Sequence, residues 1–203
     1  MKIIVGIDEA GRGPLAGPVA VGVAVVPGNF DWKETLPGVN DSKQLSKQQR
    51  EDIYKKARQL KAAGQIDFAV AMVSAQVIDR IGIVPAVNRA LTRALARLTL
   101  PRQDLGKVMV KLDGGLKAPV QYQNQETIIK GDAKEPVIGL ASICAKVTRD
   151  RYMVRKSSQK IFAPYDLATH KGYGTKVHRA AIAHHGLSSL HRATFCTNIK
   201  KPR

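Results

Sequence analysis

Asp8 and Glu9 are adjacent carboxylates at the end of an apolar run, Ile3-Ile4-Val5-Gly6-Ile7, and a tight turn, Gly11-Arg12-Gly13-Pro14, follows at once. Burial disfavours the charged form of a carboxyl group, and a neighbouring like charge disfavours it further. A bound cation relieves both costs, so a pair of this kind calls for more oxygen ligands elsewhere in the chain. Two further acids stand in comparable places. Asp113 closes the strand-like run 107–112 before Gly114-Gly115, and Asp132 follows Gly131 after the run 126–130. Strand ends of one sheet bring distant residues together, and α/β proteins place sites at such edges. Four carboxylates with no His/Cys cluster beside them suit a hard cation, Mg²⁺ or Mn²⁺, rather than zinc. A single acid at a strand end is an ordinary turn residue; three such strand ends in one chain are harder to explain that way.

The charge balance suggests what such a cation would act on. The 203 residues carry 33 Lys and Arg against 16 Asp and Glu, a net charge of +17. An excess of this size marks a polyanionic partner, nucleic acid first of all. A basic surface draws in phosphates while an acidic pocket holds the metals that act on them, which together point to metal-assisted phosphodiester hydrolysis. The competing reading is a basic, non-catalytic nucleic-acid-binding protein. Net charge does not separate the two, but the acids do, because carboxylates facing phosphate would only weaken a binding module.

The elements that must position these acids can be read from periodicity. Val19, Val21, Val23 and Val25 alternate with Ala20, Gly22, Ala24 and Val26, which predicts a strand with one branched and one small face. A helix can pack closely on the small side. The Gly- and Pro-rich link before it predicts an antiparallel pair with the strand over 3–8. Gly11-x-Gly13-x-x-x-Gly17 looks like a dinucleotide fingerprint, but Pro18 and a strand follow where a helix must open, which excludes that reading. Ser46 and Gln49 form a capping box for a helix to about Ala62. A strand over 66–73, a short helix capped by Ser74 and a helix over 84–98 come next. Arg89, Arg93 and Arg97 repeat along the last of these as a solvated basic face, with nucleic-acid contact as the alternative. Strands over 107–112 and 126–130 precede a long helix from Pro136 to about Ile161, on which Ser142, Lys146 and Arg149 form a polar stripe. A helix over 176–185 stops at Gly186. Cys144 and Cys196 are too few for a disulfide framework. The uncharged stretch 13–30 is broken by Pro14, Pro18 and Pro27, so it is no membrane helix. Without a signal peptide, a cytoplasmic protein is expected.

Gly6-Ile7-Asp8-Glu9-Ala10-Gly11-Arg12-Gly13, Asp41-Ser42-Lys43, Leu112-Asp113-Gly114, Lys130-Gly131-Asp132-Ala133-Lys134, Ala141-Ser142-Ile143-Cys144-Ala145-Lys146-Val147-Thr148-Arg149-Asp150 and His170-Lys171-Gly172-Tyr173 together closely resemble bacterial ribonuclease HII. They occur in that family's order over residues 3–195. The related ribonuclease HIII carries an extra N-terminal substrate-binding domain, and a start directly at the first strand favours HII.

The resemblance implies an α/β, ribonuclease H-like fold: a mixed five-stranded sheet flanked by helices, in one catalytic domain over 1–203 with a C-terminal helical segment at about 162–198. It implies an endonuclease that hydrolyses the RNA strand of RNA/DNA hybrids and cuts 5′ of single ribonucleotides embedded in duplex DNA, leaving 3′-hydroxyl and 5′-phosphate ends. Asp8, Glu9, Asp113 and Asp132 are then the catalytic, metal-binding carboxylates. In a two-metal scheme one Mg²⁺ or Mn²⁺ generates the attacking hydroxide and the other stabilises the leaving 3′ oxygen. Gly11, Arg12 and Gly13 are expected to read the 2′-hydroxyl, the group that separates RNA from DNA, through backbone that no β-carbon obstructs. Tyr173 is expected to pack on the sugar at the RNA–DNA junction, and Lys43, Ser142, Lys146 and Arg149 to contact phosphates. A monomer is expected. The five histidines read as structural or exposed residues, and 190–195 as a segment that docks the C-terminal part.

Overall fold

The computed structural model describes residues 2–39, 44–100 and 105–199. The strands β1 (Ile3–Ala10) and β2 (Val19–Pro27) form the expected antiparallel pair. A one-turn helix α1 (Trp32–Thr35) and the longer α2 (Lys47–Ala62) lead to β3 (Asp67–Val73), antiparallel to β2. The Ser46 hydroxyl accepts from the Gln49 backbone and the Gln49 side chain accepts from the Ser46 backbone, so α2 starts at the predicted capping box. Helices α3 (Ala75–Ile81) and α4 (Ile83–Leu95) carry the chain to β4 (Val108–Asp113), parallel to β1, and β5 (Gln125–Ile128) pairs parallel with β4. The resulting order, β3-β2-β1-β4-β5, is a mixed five-stranded sheet. The short α5 (Gly131–Lys134), the long α6 (Pro136–Ser157), a 3₁₀ stretch over Lys160–Tyr165, α7 (Leu167–His170) and α8 (Lys176–His185) complete the helices.

The period-two pattern decides which helix covers which face. Val5, Ile7, Val19, Val21, Val23, Val110 and Leu112 pack against Ala86, Val87, Ala90, Leu91 and Leu95 of α4. Each branched side chain buried there contributes roughly 1.5–3 kcal/mol. On the opposite face Ala24, Val26 and Phe68 meet Val137, Leu140, Ala141 and Cys144 of α6, with Ala57 and Leu60 of α2. The small side of β2 allows this close approach, since a β-carbon on Gly6 or Gly22 would strike the backbone of α6 at Val137 or Ala141. Arg89 and Arg93 on α4 are exposed as expected, and so is Arg97 just past its end, although Arg97 is tied to the Val70 carbonyl at 2.5 Å.

Several boundaries differ from the periodicity; the helix expected over 84–98, for one, ends at Leu95. The helix expected to reach Ile161 ends at Ser157, and Pro164 lies in the following 3₁₀ stretch. Proline lacks the amide hydrogen and crowds the preceding turn, so α6 cannot run on through it. The strand expected over 126–130 is Gln125–Ile128 instead, because Lys130 adopts a left-handed conformation with φ of 56°. That turn places Asp132 inside α5 rather than at a strand end. A separate apolar cluster of Leu15, Ala16, Met153, Phe162, Tyr165, Leu167, Ile182 and Leu190 fastens the C-terminal helices to the end of α6 and to the β1–β2 turn.

Candidate active site

The register of the two central parallel strands brings the first two acids together. Pairing of β1 with β4 runs from Ile3↔Val108 to Ile7↔Leu112, and Asp8 and Asp113 are the next residues along. Ile7 and Leu112 point to the α4 face, so their successors turn to the face covered by α6. From that side the Ser142 hydroxyl hydrogen-bonds the Asp8 carboxyl. Asp8, Glu9, Gly11, Asp113, Ser142, Lys146 and Tyr173 line one cavity of ≈ 450 Å³, together with Arg50 of α2, which the sequence had not singled out.

Asp8 is only 5 % exposed. Burial raises its pKa to about 8; the Ser142 hydrogen bond opposes the rise, and the charges of Glu9 and Asp113 add to it. The Glu9 amide donates to Asp8 Oδ1 at 2.7 Å, and the Glu9 carboxylate accepts from Arg12 Nη1 at 3.1 Å. Asp113 Oδ1 accepts from the Gly131 amide at 2.6 Å, a contact set up by the left-handed Lys130. Asp132, the neighbour of Gly131, is 1 % exposed and does not line the cavity. Among the described residues, no three Asp, Glu, His or Cys side chains form a ready-made coordination cluster. The donor set nevertheless fits a hard cation in kind and in place. Asp8, Glu9 and Asp113 offer it carboxylate oxygens, and burial, with the neighbouring charges after it, keeps Asp8 from ionising until positive charge arrives.

The glycine-rich turn rests on two buried arginines. Gly11 has φ of +85°, a conformation that side chains with a β-carbon rarely adopt. Beneath it Arg149 donates from Nε to the Pro18 carbonyl at 2.8 Å and from Nη2 to the Ala16 carbonyl at 3.1 Å. Arg149 was expected among the phosphate contacts, but it has no exposed surface. The polar stripe of α6 turns inward at this point, because the turn after β1 covers it. The second arginine, Arg192, donates to the carbonyls of Gly17 at 3.0 Å, Arg12 at 2.8 Å and Gly11 at 2.6 Å. Burial, and after it the like charge of Arg149, lowers the Arg192 pKa. The backbone carbonyls supply the compensating hydrogen bonds a buried guanidinium needs. Arg192 lies in the segment expected to dock the C-terminal part. Docking is completed by Asp79, whose carboxylate accepts from the amides of Ala193 at 2.8 Å and Thr194 at 3.1 Å.

Lys146 lies 3.0 Å from the Asp150 carboxylate, with Nζ 5.6 Å from the centre of the Tyr173 ring. Tyr173 is 43 % exposed on the cavity wall. Arg12 and Gly13 are exposed past the rim, and Lys43 falls outside the described residues. His170, His178 and His191 are buried together in the C-terminal part, as structural histidines.

Comparison with known proteins agrees with this geometry. Residues 5–198 match the family model described as ribonuclease HII. Ribonuclease HII of Endomicrobium trichonymphae is 42 % identical over 193 residues, covering 95 % of this chain and 84 % of that protein. Ribonuclease HII of Syntrophotalea carbinolica is 43 % identical over 192 residues, with the same two coverages, 95 % and 84 %. Among solved structures, ribonuclease H2 from Pyrococcus horikoshii superposes with a TM-score of 0.70 at 27 % identity, covering 98 % of this chain and 97 % of that one. Ribonuclease HIII in complex with Mn²⁺ shares the fold, with a TM-score of 0.69 at 19 % identity over 95 % of this chain and 67 % of that one. A sheet that delivers Asp8 and Asp113 to one cavity, and a family match over nearly all of the chain, lead to one conclusion: the chain belongs to the ribonuclease HII family, metal-dependent endoribonucleases that cleave RNA in RNA/DNA hybrids.

Proposed function

We propose that this enzyme also cuts on the 5′ side of single ribonucleotides embedded in duplex DNA, leaving 3′-hydroxyl and 5′-phosphate ends, and so begins their removal. The observation that carries this reading is the placement of Gly11 and Tyr173 on the same cavity as Asp8, Glu9 and Asp113. A group that senses one sugar must stand beside the carboxylates that serve the adjoining phosphate. Backbone at Gly11 and Gly13 reads the 2′-hydroxyl, which only RNA offers. Tyr173 packs on the sugar across the junction, where the next nucleotide is DNA.

Asp8, Glu9, Asp113 and Asp132 are the residues assigned to hold two Mg²⁺ or Mn²⁺ ions, which when bound supply water activation and neutralise the charge that develops on the phosphate. The chain does the rest. Ser142 orients the Asp8 carboxyl, Lys146 and Lys43 neutralise backbone phosphates, and Arg149 with Arg192 fixes the Gly11 turn. Arg149 is thus assigned to positioning rather than to phosphate contact. The excess of positive charge brings the duplex in, and the enzyme works as a cytoplasmic monomer; among the described residues no helix is long and apolar enough to cross a membrane.

The test is a labelled DNA duplex containing one ribonucleotide beside an all-DNA duplex, each with Mg²⁺ and with chelator. Metal-dependent cutting 5′ of the ribonucleotide in the first duplex alone is expected. No cut at the lone ribonucleotide, while a continuous RNA/DNA hybrid run alongside is still cleaved, would overturn the proposal and leave the family activity intact.

A further inference from the structure

The side chain of Tyr173 faces the cavity, but its carbonyl faces the C-terminal helices. There it accepts from His178 Nδ1 at 2.8 Å. A carbonyl cannot donate, so Nδ1 carries the hydrogen, and Nε2 of the neutral ring is a bare acceptor. His191 Nε2 stands 3.0 Å from it and must therefore be the donor. That leaves His191 Nδ1 bare, and it accepts from the Ser188 amide at 2.9 Å. One direction of hydrogen bonding thus satisfies every ring nitrogen from Ser188 through His191 and His178 to Tyr173. His170 closes the arrangement: Nε2 donates to the Tyr165 carbonyl at 2.8 Å, Nδ1 accepts from the Gly172 amide at 3.2 Å, and the ring stacks on His178 at 4.2 Å.

Buried polar networks restrict a structure to one arrangement when every member is satisfied. This one ends on the residue that borders the cavity. His178 has no exposed surface and His191 only 4 %, so neither ring can exchange its partner for water. A proton added to His178 would set two N–H donors against each other across the Nε2–Nε2 contact, and one added to His191 would do so between its Nδ1 and the Ser188 amide. His170 from α7 and Arg179 from α8, the titratable and charged groups facing His178, both disfavour that proton, and His170 does the same at His191.

We propose that His178, held in one tautomer by His191, is the positioning residue that sets Tyr173 against the ribonucleotide–DNA junction, and through it the preference for lone ribonucleotides over continuous hybrid. This rests on the reading of Tyr173 as the junction contact. The His178 ring fixes the Tyr173 backbone, and the backbone fixes where the phenol ring stands.

The experiment compares kcat/KM on a lone-ribonucleotide duplex and on a continuous hybrid for the wild type, Tyr173→Ala, His178→Phe and His178→Asn, with thermal unfolding of each. The asparagine amide can reach the place of Nδ1 and donate to the Tyr173 carbonyl; phenylalanine fills the space but donates nothing. His178→Phe is expected to lower the lone-to-continuous ratio about tenfold, as misplacement of a positioning contact does, in parallel with Tyr173→Ala. His178→Asn is expected to restore most of it. If Tyr173→Ala leaves the ratio unchanged, the junction reading fails and the proposal with it. If Tyr173→Ala shifts the ratio and His178→Phe does not, or if His178→Asn is no better than His178→Phe, the proposal alone is overturned. His191→Met removes the donor one ring further from Tyr173 and carries the same comparison should His178→Phe not fold.

Discussion

The guanidinium of Arg149 fills the space that a β-carbon on Gly11 would need; the two would stand closer than 3.0 Å. Gly11 and Arg149 are therefore one unit, although 138 positions separate them in the chain. Gly11→Ala is expected to destabilise the fold by about 2–4 kcal/mol, through backbone strain and displacement of a buried charge. It should also lower cleavage at a lone ribonucleotide by about a hundredfold, since the turn moves relative to the carboxylates. A double-mutant cycle with Arg149→Ala checks the cause by unfolding and kinetics. The cost of Gly11→Ala should shrink where the arginine is gone, and strictly additive effects would refute the coupling.

Asp8 predicts a metal-dependent stability. Its folded pKa of about 8 lies well above the ordinary carboxylate value of 3.8. Below pH 4 the carboxyl is protonated in both states and costs nothing. As pH rises towards 8 the unfolded chain ionises first, so stability is lost across that window. In chelator at pH 8, Asp8→Asn should raise the unfolding midpoint, with a smaller gain at pH 5. Added Mg²⁺ should stabilise the wild type and leave the variant nearly unmoved. A variant that melts earlier at both pH values would show that Asp8 is not under electrostatic stress.

Asp132 is assigned as a ligand although it lies behind Asp113, in the first turn of α5. Asp132→Asn keeps the size and hydrogen-bonding capacity of the side chain but removes its charge. Turnover should fall to background while duplex affinity in Ca²⁺ stays within about threefold, because an uncharged neighbour does not weaken phosphate attraction. Intact cleavage with lost binding would remove Asp132 from the metal site.

The buried histidines give stability an opposite slope. Burial lowers the pKa of His178 to about 4, and likewise that of His191, against an ordinary 6.5. Both rings stay neutral in the folded protein at pH values where the unfolded chain takes up protons. Their contribution is complete above pH 6.5 and is lost as pH falls from there through 4. Between pH 7 and pH 5 the wild-type unfolding midpoint should therefore lose more than that of the His178→Phe/His191→Met double variant, in which Asp8 titrates alike. An equally steep fall in that variant would assign the loss to other groups.

Periodicity and residue type were enough to locate the strands, the two faces of the sheet and the acids at its edge. Alternation of Val19–Val25 with Ala20, Gly22 and Ala24 encodes both which side is covered and how closely α6 approaches. Asp8 and Asp113 were legible as a pair because strand ends are local signals, and their motifs carried the family resemblance. The direction of long side chains and the turns between elements depend instead on contacts between distant segments. Arg149 belongs by spacing to a polar stripe with Ser142 and Lys146, yet it is buried, because the chain that covers it lies far away in sequence. Asp132 reads as a strand end until the left-handed Lys130 turns it into a helix. Arg192 and the three histidines show no local pattern at all. Their partners are carbonyls and rings from other elements, and a hydrogen bond between distant segments leaves no periodic trace in a single sequence.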